Sequence, residues 1–499
     1  MKYIRTGDFN PEAVEIPLGS FINGELIQGA GDELDIFRPS DGKLAGTVRQ
    51  ANAADVERAV SGARQALEVS NWARLAPRAR GEIMRNWAQL LDENAEYLSR
   101  LEALSSSRPI KECRDRDIPA SADMIRYYGE WTDKMAGDTF ASADAIFNTT
   151  IREPYGVVGA ISPWNVPILL ATVKFAPALA AGNAVVLKPS EMTPFSAIAF
   201  ARLAVEAGLP AGLFNVLVGT GEVTGRPLVV HPDISFVAFT GSTKTGQRIM
   251  TDCALSGPKP VSLELGGKSP QIVFDDVSDL DRVANAITAG MTRNSGQLCF
   301  CGSRLVVQNG VADRLLEMVL SKLHSVMSGP TWSETTGLPP IISDLQRRRI
   351  AGILAKSDAA ASNTLTGGNS FDMNGGKYFE PTIVMDVPTD DALFTEEVFG
   401  PVLAVQRFDD FDEGLRLADH PDYGLTASVH TSSIDRAMAA ARRIEAGTVW
   451  INNFGRTADV SSPFGGFKRS GFGKEFGREG YEKYLKTKAI WFQGVETVQ

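Results

Sequence analysis

Short apolar runs that alternate with helix-length segments constrain the fold of this chain more than any other feature. The first series of runs covers residues 157–161, 184–187, 214–218, 236–239 and 261–263. Strands that read as continuous apolar runs, with helices between them, are typical of a parallel sheet covered on both faces. Gly182 and Gly208 lie where the intervening helices should end. The pattern predicts a doubly wound α/β domain of the nucleotide-binding kind.

A second alternating series begins after Leu265. Its apolar runs cover residues 272–274, 304–307, 402–405, 425–429 and 448–451. We therefore predict two α/β domains, the first built from residues 1–132 and 152–265 and the second from residues 266–470. A cleft between two such domains is where a cofactor and a substrate would meet.

The chain before the first series is mainly helical in pattern. After Asn52, a suitable N-cap, one helix face is marked by an apolar stripe: Val56, Ala59, Val60, Ala63 and Leu67. Residues 133–151 lose this period and are rich in small and β-branched residues, which favours an extended arm. The edges of such an arm need partners.

Composition disfavours several classes of protein. A net charge of −10 argues against binding to nucleic acid or to anionic membrane surfaces. No stretch offers the roughly 20 unbroken apolar residues of a membrane span, and the first ten residues lack the apolar core of a signal peptide, so we expect a cytoplasmic protein. The four cysteines form no CxxC pair and the four histidines are scattered, so we expect no metal site.

Cys299 is the first candidate for chemistry. It follows Gly296 in the segment NSGQLCFCGSR, in a loop-like context before the run at 304–307. A thiol attacks carbonyl carbons well when neighbouring positive charge or a helix N-terminus lowers its pKa. A loop cysteine is also often only a small buried residue, and the spacing does not choose between Cys299 and Cys301.

Glu264 is the second candidate, at the end of the apolar run VSLE. A carboxylate there either turns outward into solvent or is half-buried with a raised pKa. The second arrangement suits a general base, because burial brings the pKa nearer to the working pH. Gly266 and Gly267 follow directly and indicate close approach of the backbone to another group.

Four further turns follow apolar runs, where open α/β sheets bind their ligands. The glycine-bearing turns at 219–225 and 241–246 can each open a helix whose amides bind phosphate. KPSE places Lys188 and Glu191 where they can bind a ribose, and a carboxylate there favours NAD over NADP. SPWNVP holds Asn165 as a donor for an oxyanion. Ordinary turn or surface-loop roles stay open for all four.

Seven segments, in one order, resemble those of the aldehyde dehydrogenase superfamily: SPWN, KPSE, FTGST, LELGG, GQLC, EEVFGP and SPFGGFKRSG. The resemblance extends from about residue 20 to the C-terminus. It implies two Rossmann-like domains, NAD(P)-binding (1–132 with 152–265) and catalytic (266–470), and an oligomerisation element formed by residues 133–151 and 471–499. The tail near residues 486–493 would add a strand to a neighbour's sheet, which implies a homodimer or homotetramer.

The resemblance also implies a mechanism. Cys299 attacks the aldehyde, and Asn165 with the backbone N–H of Cys299 stabilises the oxyanion of the thiohemiacetal. Hydride passes to the nicotinamide, and the remaining thioester is hydrolysed by water that Glu264 deprotonates. Lys174 and Glu475 match a pair implicated in moving protons away from Glu264.

The cofactor implied is NAD, with NADP as an alternative because a mobile carboxylate at position 191 can swing aside. The resemblance assigns it these contacts: Ile161, Ser162, Pro163, Trp164, Lys188, Ser190, Glu191, Gly221, Gly225, Phe239, Thr240, Gly241, Ser242, Leu265, Gly266, Glu397 and Phe399.

The substrate implied is a small-molecule aldehyde. The expected contacts are Val166, Leu170, Val173, Leu298, Phe300 and Phe454. Aliphatic side chains at 166, 170 and 173, where relatives often carry aromatic ones, disfavour betaine aldehyde. Two alternatives stay open: a CoA-acylating relative, although such proteins commonly lack a glutamate at the position of Glu264, and a non-catalytic protein that keeps the fold.

Overall fold

The computed structural model describes residues 8–455 and 459–493. In chain order the strands are β1 (Ser20–Ile22), β2 (Glu25–Ile27), β3 (Glu33–Phe37), β4 (Leu44–Arg49), β5 (Thr139–Phe140), β6 (Ile146–Pro154), β7 (Val157–Ile161), β8 (Ala184–Lys188), β9 (Phe214–Val216), β10 (Ile234–Thr240), β11 (Val261–Glu264), β12 (Pro270–Val273), β13 (Arg304–Gln308), β14 (Thr364–Thr366), β15 (Ser370–Met373), β16 (Gly376–Phe379), β17 (Thr382–Val384), β18 (Val402–Phe408), β19 (Tyr423–Gly424), β20 (Thr426–His430), β21 (Thr448–Ile451), β22 (Phe467–Lys468), β23 (Gly471–Phe472) and β24 (Leu485–Gln493).

The α-helices are α1 (Ala53–Ser70), α2 (Pro77–Glu93), α3 (Ala95–Ser105), α4 (Ile110–Glu112), α5 (Ile118–Trp131), α6 (Pro167–Ala180), α7 (Phe195–Glu206), α8 (Arg226–Val230), α9 (Thr243–Leu255), α10 (Leu280–Thr292), α11 (Asn309–His324), α12 (Asp344–Ala355), α13 (Asp358–Asn363), α14 (Ala392–Thr395), α15 (Phe411–Ala418), α16 (Ile434–Arg443) and α17 (Gly477–Glu482). None of the helices in the described part of the chain has the length and apolar character needed to cross a membrane.

The first sheet has the strand order β2-β1-β9-β8-β7-β10-β11-β23. Its five central strands, β9 to β11 in this order, pair in parallel, and the predicted parallel sheet is thereby confirmed. Helices cover this sheet on both sides and share one apolar core with it. Gly182 and Gly208 follow α6 and α7 with φ of 95° and 99°, the left-handed conformation that ends a helix most easily at glycine.

The second sheet has the order β14-β17-β18-β13-β12-β20-β21, and every pair except β14–β17 is parallel. It contains all five runs of the second predicted series, so the second α/β domain is confirmed. The two sheets meet where β11 ends and β12 begins. The residues between them, 265–269, connect the two sheets, and the domain boundary predicted from the sequence lies within this segment.

Helix α1 begins as its sequence predicts. The side chain of Asn52 accepts hydrogen bonds from the backbone N–H groups of Ala54 and Asp55, and the carboxylate of Asp55 accepts the N–H of Asn52 in return. This reciprocal cap satisfies N–H groups that a helix start otherwise leaves unpaired. The apolar stripe that follows is buried, except that Leu67 is only partly covered.

The extended arm is a three-stranded antiparallel sheet in the order β24-β6-β5. Its first long strand, β6, continues to Pro154, three residues beyond the predicted end. The tail expected to join a neighbour's sheet pairs first with its own chain, in register from Leu485 opposite Pro154 to Gln493 opposite Ile146. This pairing satisfies the inner edge of β24, and Trp491 and Phe492 remain largely exposed on it.

The predicted boundary at residue 470 is wrong in one respect. Of the described residues after it, only β24 belongs to the arm. Strand β23 pairs with β11 in the first sheet, and Tyr481 and Tyr484 are buried in the first core. The reason is that the large side chains after β23 pack against the first domain. The hydroxyl of Tyr481 donates to the carbonyl of Ala180 at the end of α6. Residues 1–7 of the predicted first domain and residues 494–499 of the predicted oligomerisation element lie outside the described residues.

Candidate active site

A cavity of about 490 Å³ lies at the junction of the two sheets. It contains the three residues that the sequence singled out for chemistry: Cys299, Glu264 and Asn165. They come from three separate parts of the chain, namely the loop before β13, the end of β11 and the turn before α6. The fold thus brings these three side chains together in one cavity.

The structure distinguishes Cys299 from Cys301. The thiol of Cys299 is partly accessible and lines the cavity, whereas Cys301 is buried with its Sγ 2.9 Å from the carbonyl oxygen of Gly290. Burial raises the pKa of both thiols, so accessibility and not pKa distinguishes them. Of the two thiols, only that of Cys299 lines the cavity, and this geometry favours Cys299 where the local spacing left the choice open.

The loop before Cys299 is held rigidly. Asn294 and Ser295 both have φ near 50°, a conformation that costs free energy for residues other than glycine. Hydrogen bonds of the Gln297 side-chain amide offset this cost. Its Nε2 donates to the carbonyl of Asn294, and its Oε1 accepts the N–H of Ile342. Such a network fixes the direction in which the Cys299 thiol points.

The surroundings of Cys299 disfavour its thiolate form. Burial raises its pKa above the usual range, and the nearby carboxylates of Glu397 and Glu264 raise the pKa further.

The backbone carbonyl of Cys299 approaches Gly267 so closely that a Cβ at position 267 would lie 2.5 Å from this oxygen. Gly267 thus permits the contact between the cysteine loop and the end of the first sheet.

Glu264 has an unusual environment for a carboxylate. Its side chain is 5% exposed, and neither carboxylate oxygen has a hydrogen-bond partner. Burial, and secondly the charge of Glu475, raise its pKa well above the ordinary value. A buried carboxylate aimed into a cavity and left without a partner is suited to accept a proton from a small molecule there.

Behind Glu264 lies a cluster of buried charges. The Nζ of Lys174 is 2.7 Å from Oε1 of Glu475, and the Nζ of Lys483 is 3.4 Å from the same oxygen. Burial opposes ionisation of Glu475, but these two cations lower its pKa below the ordinary value. The family resemblance assigned Lys174 and Glu475, whereas Lys483 was missed because nothing in the local pattern of the segment YEKYLK indicates a buried charge.

Asn165 is fixed beside the cysteine loop. Its Nδ2 donates to the carbonyl of Gln297 over 2.9 Å, and its own carbonyl accepts from the amide of Asn294 over 2.8 Å. An amide nitrogen has two hydrogens, so one of them remains to meet a developing oxyanion at Cys299.

The expected cofactor contacts lie at one edge of the first sheet. Most of them stand at or just after the carboxyl ends of β7 to β11: Ile161, Ser162, Pro163, Trp164, Lys188, Ser190, Glu191, Gly221, Gly225, Phe239, Thr240, Gly241, Ser242, Leu265 and Gly266. Glu397 and Phe399 reach the same edge from the second domain. There the ring of Phe399 packs edge-on against Trp164 at 5.3 Å.

Several features of this edge fit a dinucleotide. The hydroxyls of Ser162 and Thr240 are buried and unpartnered at the ends of adjacent strands. Ser242 caps α9, whose N-terminal amides can bind a phosphate. The buried ammonium of Lys188 lies 3.4 Å from the half-exposed carboxylate of Glu191, a pair placed to bind ribose hydroxyls.

At Gly266 and Gly267 the backbone that follows β11 contacts Glu397 of the second domain. A Cβ on Gly266 would lie 2.3 Å from Oε2 of Glu397, and the N–H of Gly267 donates to Oε1 of Glu397 over 3.1 Å. Glu397 is therefore held against the backbone between the two sheets. A Cβ at position 266 would displace the carboxylate of Glu397 from where it now lies.

The cavity wall next to Cys299 is apolar. Of the expected substrate contacts, Val166, Leu170, Leu298 and Phe300 line it. Two expected contacts are not among the residues that line the cavity. Val173 is fully buried in the core of the first domain. Phe454 lies behind Phe300, against whose ring it packs at 6.1 Å.

The sequence missed several residues of the cavity. Apolar contributors are Met124, Leu169, Phe464 and Phe476, and charged ones are Arg108, Arg116, Arg293, Asp115, Asp123 and Asp459. Arg116 and Asp115 belong to a π-helical turn, Cys113–Asp117, which joins α4 to α5. Such turns are frequent at functional sites, but amino-acid sequence alone does not identify them.

Comparisons with known proteins agree with this geometry. The model of the Aldehyde dehydrogenase family matches residues 26–490. An aldehyde dehydrogenase of Alternaria alternata is 38% identical over 97% of this chain and 96% of its own, and one of Aspergillus niger is 39% identical over 96% of both chains. Within the described residues, no group of three or more His, Cys, Asp or Glu side chains is placed to hold a metal ion.

Solved structures show the same fold. An indole-3-acetaldehyde dehydrogenase in complex with NAD+ superimposes with a TM-score of 0.94 at 39% identity, covering 97% of this chain and 98% of its own. A betaine aldehyde dehydrogenase from Staphylococcus aureus in complex with NAD+ gives a TM-score of 0.92 at 34% identity, covering 97% and 96%.

Proposed function

This chain belongs to the aldehyde dehydrogenase family, and we propose that it oxidises an aldehyde to the carboxylic acid with NAD+, using Cys299 as nucleophile and Glu264 as general base. The observation that carries the assignment of residues is the convergence of Cys299, Glu264 and Asn165 on one cavity. NAD+, when bound, accepts the hydride that leaves the aldehyde carbon.

The residues of this chain divide the reaction into two stages. In the first, the Cys299 thiol loses its proton to solvent as its sulfur adds to the aldehyde carbon, while Asn165 and the backbone N–H of Cys299 donate to the oxyanion. In the second, Glu264 takes a proton from water as the water attacks the resulting thioester. The acid leaves, the sulfur of Cys299 is released, and Glu264 must lose its proton before the next cycle.

The presence of Glu264 favours hydrolysis over transfer to CoA. The carboxylate is aimed into the cavity and has no other partner, so it is placed to activate water. The presence of Cys299, Glu264 and Asn165 together in one cavity also argues against a non-catalytic role. We expect acid to form without CoA, whereas strict dependence of NADH production on CoA would favour the acylating reaction.

The cofactor cleft supports NAD over NADP. Glu191 lies beside Lys188 at the end of β8, where a carboxylate can accept from a free ribose 2′-hydroxyl and repels a 2′-phosphate. Around the carbonyl, the apolar wall formed by Val166, Leu170 and Phe300 supports an aldehyde whose body next to the carbonyl is apolar.

We also propose a homodimer or homotetramer assembled through the arm. Trp491 and Phe492 are 66% and 64% exposed on β24, more apolar surface than a lone strand usually presents to water. The proposed location is the cytoplasm, which the four unpaired cysteines support.

The test is a panel of aldehydes read by NADH formation and by identification of the acid. Cys299→Ala should abolish both signals, and the matched variant Cys301→Ala should retain them because Cys301 lies outside the cavity. NADH formation that persists in Cys299→Ala would refute the assignment of the nucleophile.

A further inference from the structure

Lys483 is a buried cation without a role in the mechanism above. It follows α17 directly, and its side chain is 9% exposed. Its Nζ lies 3.4 Å from Oε1 of Glu475 and 3.4 Å from Oγ of Ser262. Keeping an ammonium group out of water is costly unless nearby negative charge offsets the loss of hydration.

Ser262 places this ammonium relative to the general base. Ser262 and Glu264 are two residues apart on β11, and side chains with this spacing project from the same face of a strand. A contact with Ser262 therefore brings Lys483 onto the face from which Glu264 projects, at a separation on the order of 6 to 7 Å along the strand.

The charges of the cluster suggest what this cation does. Glu475 already has a close cation in Lys174, at 2.7 Å, whereas Lys483 is farther from it. Three cations and two carboxylates share the cluster when Lys474, whose Nζ donates to the carbonyl of Gly465, is included. Against Glu475 alone the three cations leave an excess of two positive charges, and ionisation of Glu264 reduces this excess to one.

We propose that Lys483 is a positioning residue for the general base, which stabilises the carboxylate form of Glu264 and so returns this residue to its proton-accepting state after each turnover. The inference rests on the proposed function. During hydrolysis water gives one proton to Glu264 and hydroxide adds to the thioester carbon. That proton then leaves Glu264 for solvent, and the negative charge left behind is the one that Lys483 stabilises.

The groups that face Glu264 all enter the expected pH dependence. Glu475 disfavours its ionisation, Lys483, Lys174 and Lys474 favour it, and Cys299 stands across the cavity. Because an opposite charge at this distance in a buried site stabilises a carboxylate substantially, removal of Lys483 should move the ionisation of Glu264 upward by about one to two pH units.

The experiment measures release of acid from the acyl-enzyme between pH 5 and pH 9. The acyl group is loaded on Cys299 with an accepted aldehyde and NAD+, and the burst of NADH is recorded separately. Four proteins are compared: wild type, Lys483→Met, Lys483→Arg and Lys486→Met. Lys486 is exposed, three residues further on, and serves as the matched control.

We expect the acidic limb of acid release to move to higher pH by about one unit or more in Lys483→Met, which is at least tenfold slower release on that limb. Lys483→Arg should restore the wild-type limb, and Lys486→Met should leave it unmoved. An unchanged limb in folded Lys483→Met, or an equal loss of rate at every pH, would overturn the proposal. If Lys483→Met does not fold, Lys483→Gln replaces it.

A second measurement needs no turnover. The infrared absorption of the protonated Glu264 carboxyl is titrated against pH, with Glu264→Gln used to assign the band. We expect the midpoint to rise in Lys483→Met, and an unmoved midpoint overturns the proposal even if no aldehyde is accepted. Absence of any NADH formation by the wild type with the whole aldehyde panel would instead contradict the proposed function.

Discussion

The ammonium of Lys174 lies 2.7 Å from Oε1 of Glu475, and both side chains are shielded almost completely from water. Removing one member of such a pair leaves an uncompensated buried charge. We expect Lys174→Met to destabilise the protein by about 3 to 5 kcal/mol, reduced to the extent that Lys483 takes over the contact. The measurement is the thermal midpoint at neutral pH. A double variant with Glu475→Leu should recover most of the loss, and an unchanged midpoint in the single variant would contradict the prediction.

Glu264→Gln should separate the two stages of the reaction. The amide cannot accept the proton of water, so one equivalent of NADH should form per active site and the steady-state rate should then fall about 100-fold to 10,000-fold. Rapid mixing with the aldehyde that gives the highest wild-type rate measures both phases. Loss of the burst itself would show that Glu264 acts before hydrolysis.

The pH dependence of the wild type follows from the same residue. The pKa of Glu264 is raised by burial and by Glu475, and activity needs its ionised form. Steady-state activity should therefore rise with pH through a limb well above the ordinary carboxyl range. A rate that is already maximal near pH 5, with hydrolysis limiting, would be inconsistent with the buried, unpartnered carboxylate.

Asn165→Ala tests the oxyanion donor. The carbonyl of Gln297 loses one donor in this variant but keeps a contact with the amide of Asn294 at 3.3 Å, so the loop should stay folded. We expect kcat to fall about 100-fold to 1,000-fold with little change in KM, because the donor acts on charge that develops only during attack. A larger effect on KM than on kcat would indicate a role in substrate binding.

The fold was predictable because its strands are marked by apolar runs, and those runs fix which faces are buried. Five runs in each series became strands, and Gly182 and Gly208 ended helices as expected. The return of β23 to the first sheet was not predictable, since two residues at an edge carry no periodic signal. Long-range pairings of this kind depend on packing rather than on local pattern.

The site was predictable only in part. The segments that contain Cys299, Glu264 and Asn165 could be picked out, but local pattern could not choose between Cys299 and Cys301. The choice depends on which thiol faces the cavity, and Cys301 instead contacts the carbonyl of Gly290. Lys483 gave no signal at all, because its burial results from contacts with β11 that are distant in sequence.

Cofactor preference should respond to one residue. Glu191→Thr removes the carboxylate that stands beside Lys188 and leaves the cation for a 2′-phosphate. We expect kcat/KM with NADP+ relative to NAD+ to rise about tenfold or more, since a charged contact is worth about 1.5 to 3 kcal/mol. Steady-state comparison of the two cofactors decides it. An unchanged ratio would mean that Glu191 turns away from the ribose.

The ionisation of Glu102 should make the stability of the protein depend on pH. Glu102 binds the start of α6, the helix whose residues Leu169 and Leu170 line the cavity. One carboxylate oxygen of Glu102 accepts the N–H of Ile168, in the first turn of α6, over 2.9 Å, and the other accepts the hydroxyl of Ser196. Burial raises the pKa of Glu102 to about 7. A carboxyl whose pKa is higher in the folded state contributes stability that is fully present below its unfolded pKa and is lost as pH rises through the folded value.

The Glu102 contribution should therefore be lost between about pH 4.5 and pH 7. Glu102→Gln keeps an acceptor for Ile168 but cannot ionise, so its thermal midpoint should rise relative to the wild type as pH increases from 5 to 8. Glu102→Ala should lower the midpoint at every pH, because it leaves a buried N–H at the start of α6 unpaired at a cost of about 1 to 3 kcal/mol. A Glu102→Gln midpoint that follows the wild type at all pH values would show that Glu102 does not change its ionisation in the folded protein over this range.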